Sequence, residues 1–244
     1  MIKAITFDLW DTIIVDNSDE KKREISKEEE RVVILIEILA NYKPIPREKL
    51  VQVIDDVTTE FNYAWKESYI TWTVLDRVQR ILDKLQVKIS KVDLKIIVDK
   101  FESLELGHEL DFAPNIEEML DDLSKEYQLG IISDTIFTPG KNLRKILSKK
   151  KILDNFDFCL FSDEFGASKP SKKIFEEAVR LFSVNKYEVA HIGDREYNDI
   201  IGAKEAGLKS ILSRVIKDTE NNTIADLVVS DYRDLSNLIK QFNK

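Results

Sequence analysis

The chain opens on an apolar run, Met1 to Phe7, that stops at Asp8, the pattern of a buried strand ending on a carboxylate. From about residue 20 to 106 the period lengthens to that of helices. Val74, Leu75, Val78, Ile81, Leu82 and Leu85 share one stripe, and Leu50, Ile54, Val57, Phe61 and Trp65 another. Pro44 and Pro46 interrupt the region, which predicts about four helices packed as a bundle. Beyond Pro114 the pattern alternates. "NIEEMLDDLSKEY", "NLRKILSKK" and "SKKIFEEAVRLF" read as helices, and "QLGIISD", "FDFCLFSD" and "VAHIGD" as strands between them. "NDIIGAKEAG" then leads into "KSILS", and "ADLVVSD" precedes a last helix, "DLSNLIKQF". Such units predict an α/β, Rossmann-like parallel sheet with helices on both faces. The first strand is expected to join this later sheet, which divides the chain into a core domain, 1–16 with 108–244, and an inserted helical domain, 17–107.

Composition narrows the function. The balance of 37 basic to 45 acidic residues, with no basic tract, argues against nucleic acid and for a small-molecule partner. The densest apolar run, Val32 to Ala40, is short and broken by Glu37, so no membrane span is expected, and the chain reads as soluble and cytoplasmic. Cys159 is the only cysteine, which rules out an internal disulfide or a cysteine zinc site and predicts a buried thiol. His108 and His191 have no spaced metal-binding partners, and "NNT" at Asn221 matches a glycosylation pattern idle in such a compartment. The Lys and Glu content with few glycines suits a thermophile.

Acids and small polar residues gather at the C-terminal ends of the predicted strands: Asp8 and Asp11, Ser133 and Asp134, and Asp194. That edge of an open parallel sheet is where ligands bind. Asp8 is placed to act as a nucleophile that forms a covalent ester. Lys169 supplies a fixed positive charge that keeps Asp8 ionised, and Ser133 a hydrogen bond, helped by backbone N–H groups at Leu9, Trp10 and Asp134. Asp194 and Asp199 offer hard oxygen ligands suited to Mg²⁺ beside a substrate phosphate.

In order along the chain, "FDLWDT", "IISDT", "ASKP" and "HIGDREYND" resemble the four signatures of the haloacid dehalogenase superfamily. The resemblance covers essentially the whole chain and implies a hydrolase with a helical cap between the first two signatures. It adds the backbone carbonyl of Trp10 to the metal ligands Asp8, Asp194 and Asp199. It also exposes a departure, because phosphatases of the family usually carry a second aspartate where this chain has Trp10, and an indole offers no acidic proton. Three readings remain open. One is a Mg²⁺-dependent phosphohydrolase whose substrate needs little leaving-group protonation, or which uses Asp11 or water instead. Another is a 2-haloacid dehalogenase, whose halide leaves without a proton and whose members carry an aromatic residue at this place. The third is a non-catalytic homologue that binds a ligand or a protein. The retained acids Asp194 and Asp199, with Asp134 after Ser133, favour the first. In the helical insertion Trp65, Tyr69 and Trp72 either line a pocket roof or form an aromatic core stripe. Arg77 and the run Lys21, Lys22, Arg23 either meet an anionic substrate or form a solvated charged face. A monomer or homodimer is expected.

Overall fold

The computed structural model describes residues 1–218 and 222–242, so Asn221 lies outside the described residues. Six strands, β1 (Ala4–Phe7), β2 (Gln128–Ser133), β3 (Phe158–Phe161), β4 (Val189–Gly193), β5 (Lys209–Ser213) and β6 (Leu227–Val229), form one parallel sheet in the order β3-β2-β1-β4-β5-β6. β1 is buried throughout because it pairs on both sides, Phe7 standing between Ile131 and Ile192. The path leads outward from β1 through β2 to β3, then returns to lay β4 on the other side of β1. This switch opens a crevice beyond the carboxyl ends of β1 and β4, where Asp8 and Asp194 follow their strands.

Alternation along the strands sends side chains to opposite faces. Ile5 and Phe7 join a core with α5 (Ile116–Leu123), α6 (Gly140–Lys149) and α10 (Leu235–Gln241). Ala4, Ile132 and Val189 join another with α8 (Lys172–Phe182) and α9 (Gly202–Ala206). A one-turn helix, α7 (Ser162–Phe165), follows β3, and a π-helical turn, Glu196–Ile201, leads into α9. β3 is an edge strand, so Cys159 is half-buried rather than enclosed, though burial still pushes its thiol up to about 11.

The insertion forms α1 (Lys27–Leu39), α2 (Arg47–Ser68), α3 (Val74–Leu85) and α4 (Lys91–Glu102), packed round a core of their own that includes Leu35, Leu50, Val57, Val78, Leu82 and Ile97. Ser26, Thr73 and Ser90 each accept a first-turn N–H and fix three of the helix starts. The stripe predicted for α3 holds except at Leu75, which is 48% exposed. Leu75 lies one residue, and so about 100°, round from Val74. Arg77, three residues on from Val74, takes the buried place instead. Among the described residues no helix is long and apolar enough to cross a membrane.

The bundle sits on the sheet's crevice through a polar seam. The Ser168 N–H donates to the Tyr69 carbonyl (2.9 Å), Thr71 Oγ1 to Ser162 Oγ (2.8 Å) and Asn142 Nδ2 to the Glu102 carbonyl (2.8 Å). Phe137, from the loop after β2, packs against the bundle's apolar core.

Candidate active site

The Asp8 N–H donates to the Ile192 carbonyl (2.8 Å), so the first residue past β1 is tied to β4 and cannot swing away. Its carboxylate accepts from Lys169 Nζ through Oδ1 (2.5 Å), leaving Oδ2 with a weak contact from Thr12 Oγ1 at 3.5 Å. Lys169 Nζ also donates to Asp199 Oδ1 (2.5 Å), and its backbone N–H to Asp134 Oδ1 (2.9 Å). Asn198 Nδ2 reaches the other Asp134 oxygen at 3.2 Å. Lys169 therefore arrives by the loop before α8 and is pinned at both its backbone and its ammonium.

Asp199 is held from three sides. Oδ1 accepts from Lys169 and His191 Nε2 (3.1 Å), and Oδ2 from the Arg195 N–H (3.0 Å). Burial alone would raise its pKa, but Lys169 and His191 hold the carboxyl well below the usual carboxylate range. An ionised Asp199 assigns the Nε2 proton to His191, whose Nδ1 then accepts from Thr6 Oγ1 at 2.9 Å. Burial keeps that imidazole below its ordinary pKa and hence neutral. A methyl group on Gly193 would lie 2.2 Å from Asp199 Cγ, so only glycine lets the π-helical turn come this close to β4.

The remaining acids bear the cost of crowding. Burial pushes Asp8 up to about 7 against the pull of Lys169, and burial together with Asp8 and Asp199 pushes Asp194 up to about 8. Asp134 is raised by burial as well. On the same count burial would lower Lys169, but Asp199, Asp8 and Asp134 keep it above the ordinary lysine value. Four carboxylates face two cations, Lys169 and Arg195, which leaves the ionised site two charges negative. Asp8, Asp194 and Asp199 each bring a ligand atom within 4.8 Å of the others. Asp194 Oδ1 is buried with no hydrogen-bond partner among the described residues. An orphaned carboxylate oxygen, hard donors and a deficit of two charges fit a divalent cation such as Mg²⁺. Asp8 and Asp194 have oxygens to spare for it, whereas both Asp199 oxygens are taken.

These shifts predict a pH effect. A carboxyl whose folded pKa lies above its unfolded value near 3.8 binds its proton more tightly in the folded state. Stability then falls as pH rises from about 4 through the folded values near 7 and 8. In chelator the melting temperature is expected to drop between about pH 4 and pH 8, and Mg²⁺, which needs the ionised acids, is expected to reverse the drop. Calorimetry across that range checks it, and a pH-independent melting temperature contradicts it.

A cavity of about 270 Å³ lies between sheet and bundle, walled by Asp8, Trp10, Asp134, Lys169 and Asp199 below and by Arg31 and Trp65 above. Several expected residues stand elsewhere. Ser133 is fully buried and donates to the Asp134 carbonyl (3.2 Å). Tyr69 ends α2 with φ 54° and bonds Tyr197 through its hydroxyl (3.0 Å) rather than lining the cavity. Trp72 packs on Phe61 and under Arg80. Asp11 turns away, its carboxylate taken by Lys217 and the Asp16 N–H, so it does not replace the acid missing at Trp10. The run at Lys21 to Arg23 is spent on structure, with Lys22 on Asp111 and Arg23 on Asp19 and Glu30. Arg31, Asn198 and the His191 link to Asp199 carried no signal in spacing.

A buried carboxylate, a lysine and an acid cluster on one edge of a parallel sheet, under a helical roof, fit a hydrolase site of the α/β class. The family model for haloacid dehalogenase-like hydrolases matches residues 45–213. A Methanocaldococcus jannaschii protein named glyceraldehyde 3-phosphate phosphatase is 26% identical over 246 residues, spanning 100% of both chains. A Pyrococcus furiosus protein of the same name is 35% identical over 136 residues, 54% of this chain and 55% of its relative. The matched stretch thus spans about half the Pyrococcus protein's length. The crystal structure of a 2-haloacid dehalogenase from Pseudomonas syringae superposes over 99% of this chain and 100% of that one, with a TM-score of 0.73 at 22% identity, and shows the shared fold. The chain belongs to the haloacid dehalogenase-like hydrolase family.

Proposed function

We propose that this protein is a Mg²⁺-dependent phosphohydrolase of small phosphorylated metabolites, with residues 17–107 as a cap over the core of 1–16 and 108–244. The observation that carries the reading is the orphaned Asp194 Oδ1 beside Asp8 and Asp199, an acid cluster that suits a metal-dependent phosphate site better than a metal-free halide site. Relatives named as phosphatases support it.

Asp8 attacks phosphorus, a P–O bond to the leaving group breaks, and an aspartyl phosphate forms on the Asp8 carboxylate. Lys169, held by Asp199, Asp134 and their partners, pulls Asp8 toward ionisation against its burial and faces the charge gathering on the phosphoryl oxygens. Water then attacks the same phosphorus and the Asp8–phosphate bond breaks, returning the carboxylate. Asp8 and Asp194 would hold Mg²⁺, which when bound shields the phosphate's negative charge from the attacking carboxylate. Trp10 has no proton to give the leaving group. Substrates with good leaving groups, such as acyl phosphates, are therefore expected to turn over about 10²-fold or more faster than simple esters, the scale of a missing general acid.

The test is release of product from two panels, phosphate esters with acetyl phosphate and 2-chloropropionate, each with Mg²⁺ and with chelator. Phosphate release that vanishes in chelator is the expected result. Chloride release indifferent to chelator would instead establish the dehalogenase, and silence in both panels would point to a ligand-binding homologue.

A further inference from the structure

Arg31 is the anomaly of the roof. It is 7% exposed, it lines the cavity that Asp8 and Lys169 floor, and its Nε has no hydrogen-bond partner among the described residues. Its ion-pair partner, Glu28, is 3.6 Å away on a side chain 74% exposed, too distant and too solvated to neutralise a buried guanidinium. The other cation on that wall, Lys27, is already matched by Glu105 (2.7 Å) and Asp19 (3.3 Å).

A second buried cation stands close to Arg31. Its guanidinium carbon lies 3.5 Å from the centre of the Phe137 ring, and that of Arg77 lies 3.7 Å from the same centre. Two groups can approach one ring so closely only from opposite faces. Phe137 is therefore sandwiched between two buried cations, and among the described residues Arg77 has the Ile136 carbonyl (3.3 Å) as its one acceptor. Burial pushes Arg31 down to about 10 against the pull of Glu28 and Glu105, and burial with Arg31 beside it pushes Arg77 down to about 9. Stacking fixes the guanidinium plane and leaves its N–H edge as a directed fork. A second donor stands near, because Trp65 lines the same cavity and its buried indole N–H also has no partner among the described residues.

Unpartnered donors on a buried cation that is paired only weakly, with Glu28 at 3.6 Å, call for an anionic acceptor. We propose that Arg31, with the Trp65 indole, binds a carboxylate at the far end of the substrate, so that the substrates are short phosphorylated carboxylic acids. The assignment rests on the phosphohydrolase reading for the other end of the molecule. A cavity of about 270 Å³ suits a chain of a few carbons between the two anions. The expected preference departs from the aldehyde phosphate in the names of the relatives.

Three substrates separate the ideas: 3-phosphoglycerate, glyceraldehyde 3-phosphate and glycerol 3-phosphate share a phosphorylated three-carbon chain and differ in carboxylate, aldehyde and alcohol. The expected result is a kcat/KM for the acid at least tenfold above the other two. Arg31→Gln is expected to lower the acid's kcat/KM about 30-fold more than the alcohol's, chiefly through KM, the scale of a lost charge-assisted contact. Arg31→Lys, keeping the charge without the fork, recovers part of it. Preference for the aldehyde or alcohol in the parent protein, or equal losses on all three in Arg31→Gln, would overturn the proposal. If neither variant folds, the parent's preference decides. If no phosphate is released from any of them or from acetyl phosphate, the phosphohydrolase reading fails. Calorimetric binding of the acid against the alcohol then judges the Arg31 site alone, with tighter acid binding upholding it and equal binding ending it.

Discussion

Replacing Asp8 by asparagine lowers phosphate release at least about 10⁴-fold, the scale seen when a covalent nucleophile is removed. The amide keeps the shape of the carboxylate but cannot form the phosphate ester that hydrolysis requires. The fold is expected to survive, because the Asp8 carboxyl is pushed up to about 7 by burial, so its charge is a burden at neutral pH rather than a support. In chelator at pH 8 the variant should melt no lower than the parent, and the melting-temperature gain on adding Mg²⁺ should shrink. A variant that keeps its activity ends the nucleophile assignment; one that unfolds shows that Asp8 is needed to anchor β1 to Lys169.

Lys169→Met has the second largest effect and a different signature. The lysine is 3% exposed and joins Asp8, Asp199 and Asp134 through three hydrogen bonds. Its removal leaves acids buried together without their cation, which costs about 3 kcal/mol for a broken buried pair. In a chain of this size that is a fall of roughly 6–12 °C in melting temperature. Turnover is expected to drop about 10²- to 10³-fold as the phosphoryl charge loses its partner. Unlike Asp8→Asn, this variant loses stability and activity together, and the stability loss narrows at low pH, where the acids bind protons. Differential calorimetry at two pH values with a phosphate assay reads both. Full stability at neutral pH would show that Asp199 is anchored by His191 and Arg195 alone.

The framework was legible because burial writes itself into apolar runs. "AITF", "LGII" and "VAHIG" are strands enclosed on both faces, and each stops where polar residues begin. The acids of the site were legible for the same reason, since a carboxylate at the end of a buried strand has no structural excuse. Roles set by direction were not. Leu75 fits a helical stripe within the tolerance of the period, yet points outward. Asp11 stands in the first signature, but a left-handed backbone, φ 56°, turns it toward Lys217. Arg31 sits in "SKEEER", a charged first turn of α1 that reads as solvent-facing. Only the arrival of Phe137, from a loop more than a hundred residues on, makes it a buried cation.

The position of β1 has a consequence for how the chain comes to be active during synthesis. The strand that carries Asp8 is made first, yet it occupies the middle of the sheet, and its two neighbours, β2 and β4, follow only after the whole bundle and after α8 respectively. Meanwhile α1 to α4 can collapse on their own apolar core, through contacts close in sequence, while "MIKAITF" waits unpaired. A central strand that must wait for partners so distant in sequence makes assembly of the sheet slow and leaves an apolar segment exposed until they arrive. On the function proposed above, a product ending before Asp199 is expected to release no phosphate, because Lys169 would lack the acid that shares its ammonium with Asp8.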